Sequence, residues 1–117
     1  MILTNAQMYD SLQILAHAEE RGVLGFAIAR NRRKLAEELR EFMAKRDELL
    51  AEYGTEESAG AYKLTPEAAQ AFSTALRPYA EMTADVAVYQ ITAAEFCSGG
   101  LTSSQMLVLD WMVKEAD

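Results

Sequence analysis

Residues 25–53 read GFAIARNRRKLAEELREFMAKRDELLAEY and contain no proline, and Gly54 stands just beyond them as a stop. Positions 28, 32, 35, 39, 42, 46, 49 and 53 advance by alternating steps of four and three; they are Ile28, Arg32, Leu35, Leu39, Phe42, Arg46, Leu49 and Tyr53. That spacing lines the side chains along one seam of a single long helix, with an arginine at every fourth contact. Glu38, Glu41, Asp47, Glu48 and Glu52 flank the seam as natural partners for its cations. A helix of about 28 residues spans roughly 42 Å. A domain of this size has a radius of gyration of about 13 Å, so one end of the helix is expected to project. In one reading the seam is the spine on which the other helices pack, with Arg32 and Arg46 at its edge and their stems covering apolar surface. In the other, part of the seam faces a second chain and the arginines fix register through salt bridges.

Toward the N-terminus, Thr4-Asn5-Ala6-Gln7 has the form of a capping box, and Leu3 and Met8 are spaced to staple it. A first helix is expected from there to about Glu20, ended by Gly22 and carrying Met8, Leu12 and Leu15 on one face. Beyond Tyr53, Thr55–Gly60 is polar and reads as a loop, and Ala61–Leu64 as a short extended segment. Thr65-Pro66-Glu67 opens another helix with a cap, a proline at the first position and an acid in the first turn. Its buried face is Ala69, Phe72, Leu76 and Tyr79, and Pro78 limits its length. From Asp85 to Ile91 the period changes to two, which predicts a strand able to pair with 61–64 and with Ile2-Leu3 as a third. Ala93–Cys97 reads as a brief helical turn before Gly99-Gly100. Leu101-Thr102-Ser103-Ser104-Gln105-Met106 repeats the capping pattern of the N-terminus. The apolar run that follows predicts a last helix buried on two sides.

With 117 residues, half of them apolar and a quarter charged, the chain fits one folded domain over residues 1–117. The longest apolar run, Met106–Val113, is interrupted by Asp110 and is far short of a membrane span. The N-terminal residues lack the pattern of a secretory signal, and Cys97 is the only cysteine, which fits a reducing cytoplasm. The formal charge of −7 is unevenly placed: one base and three acids lie in residues 1–29, seven bases and three acids in 30–46, and three bases and twelve acids from Asp47 onward. Either the segments neutralise each other or face solvent, or they form a polarised surface that steers a charged partner. On the second reading the candidate partner-binding residues are Arg30, Arg32, Arg33, Lys34 and Arg46 on the basic side. Asp47, Glu48, Glu52, Glu56 and Glu57 are their acidic counterparts.

Signals for catalysis, cofactors or metals are missing. The sequence has no phosphate-binding glycine loop, no nucleophile elbow, and no pair of histidines or cysteines at ligand spacing. The single histidine, His17, reads as a partly buried structural residue. No base stands near Cys97 in the sequence to activate it as a nucleophile, and its charged neighbour is the acid Glu95. The bases between Arg30 and Lys34 spread around a helix at about 100° per residue, so they form no single stripe. With a net acidic charge, direct nucleic-acid binding is not expected. The reverse, acids imitating phosphate in another protein's basic groove, remains open.

Leu3-Thr4-Asn5 with Gln7, Ala29-Arg30-Asn31 leading into Lys34-Leu35, and Arg46 with Leu49-Leu50 and Tyr53-Gly54 form an ordered set of motifs. Tyr62-Lys63-Leu64, Leu101-Thr102, Gln105 and Leu109-Asp110-Trp111-Met112 complete it. In this order the chain resembles a group of small proteins encoded by tailed phages and prophages. The likeness spans nearly the whole chain on short motifs, and departs at the alanine-rich middle, Ala68–Ala75, and at the Cys97–Gly100 turn. It implies a phage-derived protein in a bacterial host cytoplasm and carries no activity or functional residue with it. Small acidic phage proteins are commonly accessory morphogenesis factors or inhibitors of a host defence protein.

The expected architecture is therefore α+β and helix-dominated: about four helices, the second long, and a small two- or three-stranded antiparallel sheet. The expected function is non-catalytic protein–protein interaction with a host or phage protein, as an accessory or assembly factor that could self-associate through helix 2. The alternative is an inhibitor that occludes a host nucleic-acid-binding defence complex.

Overall fold

The computed structural model describes residues 1–115. Strand β1 (Ile2–Thr4) leads into helix α1 (Asn5–Leu15), then α2 (Gly22–Glu38) and α3 (Arg40–Tyr53). A hairpin of β2 (Thr55–Ser58) and β3 (Ala61–Lys63) precedes α4 (Pro66–Ala80), followed by β4 (Thr83–Asp85). Two short helices, α5 (Ala93–Phe96) and α6 (Ser103–Val108), and a 3-10 turn at Asp110–Met112 close the described chain. The helix-dominated α+β expectation holds, but the described residues form six α-helices rather than about four.

The long second helix is divided at Leu39, where the backbone relaxes to φ −83°, ψ −1°. The hydrogen-bond ladder still passes through: Leu39 N–H donates to the Leu35 carbonyl at 2.9 Å and Met43 N–H to the Leu39 carbonyl at 2.8 Å. α3 thus continues the course of α2 past a local irregularity. The buried positions are Leu24, Ala27, Ile28, Asn31, Leu35, Leu39, Phe42 and Leu49. Arg32 is exposed, and Asn31 takes its expected place on the seam. At 3.6 residues per turn a straight helix drifts from a strict heptad. The apolar wall also has no counter-charge for a guanidinium, whereas an amide can be fully satisfied there. The Asn31 side chain, 0% exposed, does this in both directions: its Nδ2 donates to the Tyr89 carbonyl and its Oδ1 accepts from the Tyr89 N–H, each at 2.8 Å.

That clip corrects the strand expected at 85–91. Asp85 pairs with Ile2 and Val86 exchanges backbone hydrogen bonds with Met1, but among the described residues Ala87–Gln90 pairs with no strand; Asn31 supplies hydrogen bonds that a neighbouring strand would otherwise make. The single expected sheet is two separate antiparallel pairs, β1 with β4 and β2 with β3. Ile2, Leu3 and Thr4 face Asp85, Ala84 and Thr83, and the polar segment read as a loop pairs back on Ala61–Lys63 with an irregularity after Glu56.

Capping reads true at three helices. Thr4 with Gln7 and Thr102 with Gln105 form full boxes, and Thr65 caps α4 with Pro66 in its first turn. A further box, Thr92 with Glu95, starts α5. Other boundaries shift. α1 ends at Leu15, with Ala16–Arg21 as a connection, and Gly22 opens α2 instead of closing α1. Pro78 lies inside α4, which runs two residues past it; lacking an N–H, it removes one hydrogen bond of the ladder near the helix end.

The core joins Leu3, Met8, Leu15, Leu24, Ile28, Leu35, Leu39 and Phe42 to Val86, Ile91, Phe96, Leu109, Trp111 and Met112. Trp111 Nε1 donates to the buried Ser11 hydroxyl at 2.9 Å, tying the C-terminal turn to α1. Two glycines permit close approach. A Cβ on Gly25 would run into the backbone carbonyl of Glu20, and one on Gly99 would sit 2.5 Å from the Glu20 carboxylate, which accepts the Gly100 N–H at 2.8 Å. Past Phe42 the fold thins into an arm: α3 leads out, the β2–β3 hairpin caps it, and α4 returns antiparallel to α3. α4 packs mainly on α3 and has no fully buried residue. The projecting end is visible in the dimensions, 48 × 27 × 23 Å, with a radius of gyration of 16.2 Å.

Candidate protein-docking surface

α2 turns Leu24, Ala27, Ile28, Asn31 and Leu35 inward. Helical geometry then points Phe26, Ala29, Arg30 and Arg33 toward solvent. Phe26 is 53% exposed and Val23, one turn earlier, 46%. The Arg30 guanidinium lies 5.8 Å from the Phe26 ring centroid and 5.4 Å from that of Tyr89. The two rings meet edge-on at 5.5 Å. Each such contact contributes about 0.5–1 kcal/mol at an exposed site. Between Phe26, Ala29, Arg30 and Arg33 lies a shallow recess of about 220 Å³, with the small Ala29 side chain at one of its positions. Asn31 holds the Tyr89 backbone, and Tyr89 in turn brackets Arg30, so a buried amide positions an exposed cation.

Among the described residues no ion pair involves Arg30, Arg32, Arg33 or Lys34. Around the helix Arg32 falls about 160° from Arg30, while Lys34, only about 40° from it, is half-buried. The candidate basic set therefore reduces to Arg30 and Arg33, joined by aromatic side chains that the charge pattern alone did not flag.

Arg46 belongs to a different place. Its guanidinium lies 5.3 Å from the Tyr9 ring centroid of α1, and Tyr9 meets Phe42 edge-on at 6.2 Å. Its one ion pair is a long contact of 3.9 Å with Asp47. Beside it Lys45 lies 5.2 Å from the Tyr79 ring and 3.4 Å from Glu48. The Lys45 pKa is raised above the ordinary lysine value, first by the hydrogen bond to Glu48 and then by its charge. These two cations pin the base of the arm to α1 and α4, apart from the Arg30 face.

The candidate acids Asp47, Glu48, Glu52, Glu56 and Glu57 are all exposed along the arm. Glu57 makes a single 4.0 Å contact across the hairpin to Lys63. Arg30 and Glu52 are 22 positions apart on nearly continuous helix, on the order of 30 Å at 1.5 Å per residue. Basic and acidic candidates are therefore two surfaces. Between the arm's helices, Tyr53, Glu67, Gln70, Ala71, Thr74 and Ala75 line an open groove of about 510 Å³. Its shape is shallow and it holds no convergent set of donors or titratable groups.

His17 is exposed, contrary to the partly buried position expected of it, and Cys97 is an exposed thiol at the end of α5. Among the described residues no group of three or more His, Cys, Asp or Glu is placed to hold a metal ion. No described helix is long and apolar enough to cross a membrane. No protein-family model, curated protein or solved structure matches this chain.

Proposed function

We propose that this protein is a non-catalytic, phage- or prophage-derived factor that works in the bacterial cytoplasm by binding another protein, in an accessory or assembly role. Its docking surface is the outward face of α2. The observation that carries this reading is Arg30 set between Phe26 and Tyr89 on an otherwise unpaired basic face. Aromatic and arginine side chains are the residues enriched at interface hot spots. A guanidinium held over two rings keeps its N–H edge free for a carboxylate, which favours an acidic partner surface.

The test is co-purification from phage-carrying host cells with the wild type and a Phe26→Ser/Arg30→Ser variant of matched circular dichroism. The wild type should retain a defined protein that the variant loses, and added salt should weaken the capture. Equal capture by both proteins rejects α2 as the docking face.

A second reading is supported by the exposed acids of the arm, Asp47, Glu48, Glu52, Glu56 and Glu57. They suit occlusion of a basic groove on a host nucleic-acid-binding defence complex, as in an anti-CRISPR-like inhibitor. Neutralising Glu52, Glu56 and Glu57 to glutamine should abolish inhibition under that reading and leave α2-dependent capture intact under the first.

A further inference from the structure

The expected two-sided burial of the last helix does not occur, and what is left exposed has a complement on the same molecule. α6 is only six residues long, and the 3-10 turn after it swings Leu109, Trp111 and Met112 into the core. Leu107 and Val108 are left outward, 75% and 38% exposed. Beside them a recess of about 280 Å³ is lined by Leu3, Leu107, Val108 and Trp111, with Gln7 as a neutral polar member, and flanked by Asp10 and Asp110. It is an apolar hollow with an acidic rim. The α2 face is an apolar projection, Val23 and Phe26, with Arg30 and Arg33 beside it.

We propose that the α2 face of one copy docks into the α6 recess of another, so that the protein self-associates head to tail. This rests on the reading of α2 as a docking face and names its counter-surface. Apolar side chains meet apolar side chains and arginines meet aspartates only in this pairing. Two α2 faces brought together would set arginine against arginine, and two recesses aspartate against aspartate, so both symmetric dimers are opposed by their own charges. A heterologous contact leaves one face of each sort unfilled at the ends of the assembly. Unless two copies engage reciprocally about a twofold axis, it grows into a chain or closes into a ring.

Sedimentation velocity on the full chain, from micromolar to millimolar protein and at low and high salt, tests this. The wild type should form species larger than a dimer as concentration rises, weakened by salt. Phe26→Asp and Leu107→Asp, both at exposed positions and checked by circular dichroism, should each lower the association constant about tenfold or more. Mixed in equal amounts, the two variants should form a dimer and nothing larger, since each supplies the face the other lacks. A wild type that stays monomeric throughout, or a Leu107→Asp variant that associates like the wild type, overturns head-to-tail docking. In the latter case, loss of association in Phe26→Asp alone would leave the α2 docking face standing with a different counter-surface.

Discussion

The body of the molecule and its arm are held by different means. In the body, α1, α2, the Val86–Ile91 segment and the C-terminal turn close around a shared apolar core, and buried polar groups are paired: Asn31 with the Tyr89 backbone, Ser11 with Trp111. In the arm, α3 and α4 lie side by side with Leu49 as their buried side chain, and every residue of the β2–β3 hairpin except Tyr62 is exposed. The body can therefore carry a docking face whose geometry is set from beneath. The arm spends its few apolar contacts on staying folded and presents mostly charge. Stability and exposed chemistry are divided along the same chain, with α2 and α3 as the shared beam.

The comparison breaks first if the body is not the stable unit. Leu35→Ala, at a fully buried core position, should cost about 2–5 kcal/mol and lower the whole denaturation midpoint as one transition. Asn31→Ala comes next. It strands the Tyr89 N–H and carbonyl beneath the surface, at a cost of roughly 2–4 kcal/mol, and frees the ring that brackets Arg30. Urea titration and partner capture should decline together. Retained capture in a protein destabilised by this change would show that Tyr89 does not organise the face.

Leu49→Ala lies outside the connected core and should cost less, about 1–3 kcal/mol. Hydrogen exchange should accelerate in α3, the hairpin and α4 while α1 and α2 keep their protection. Uniform acceleration would mean that arm and body open as one unit.

The smallest effects separate two uses of acid. Glu95 accepts hydrogen bonds from the Thr92 N–H and hydroxyl, both at 2.9 Å. These, the backbone bond first, hold its carboxyl below the usual carboxylate range. A depressed folded pKa means the contribution is complete above the unfolded value and fades as pH falls through the lower, folded one. Glu95→Gln should therefore lower stability slightly at neutral pH, flatten the acid limb of the stability profile and match the wild type at low pH, where Glu95 is already protonated. Glu56→Gln and Glu57→Gln should leave stability within about 0.5 kcal/mol at any pH.

Much of the local structure was legible in the residues. Thr4 with Gln7, Thr65 with Pro66, Thr102 with Gln105 and the Gly54 stop all sit where their neighbours within four positions require, because capping is a short-range exchange of hydrogen bonds. Phe26 and Arg30, four apart on one helix, were within reach of the same reasoning. Tyr89 was not, since it reaches Arg30 only because Asn31 grips its backbone across 58 positions. Nor does alternation at Val86, Val88 and Ile91 reveal that a side-chain amide replaces a partner strand.

By itself, then, the sequence determined helical content, the caps that start three helices and the segregation of bases from acids, all properties of near neighbours and composition. Tertiary structure decided the rest. It paired Ile2–Thr4 with Thr83–Asp85, put Asn31 rather than Arg32 on the buried seam, laid Arg46 on Tyr9 and turned Leu107 out to solvent. Each depends on which distant surfaces meet, where desolvation penalises an unpaired charge and a single 3-10 turn changes which side of an apolar run faces the core.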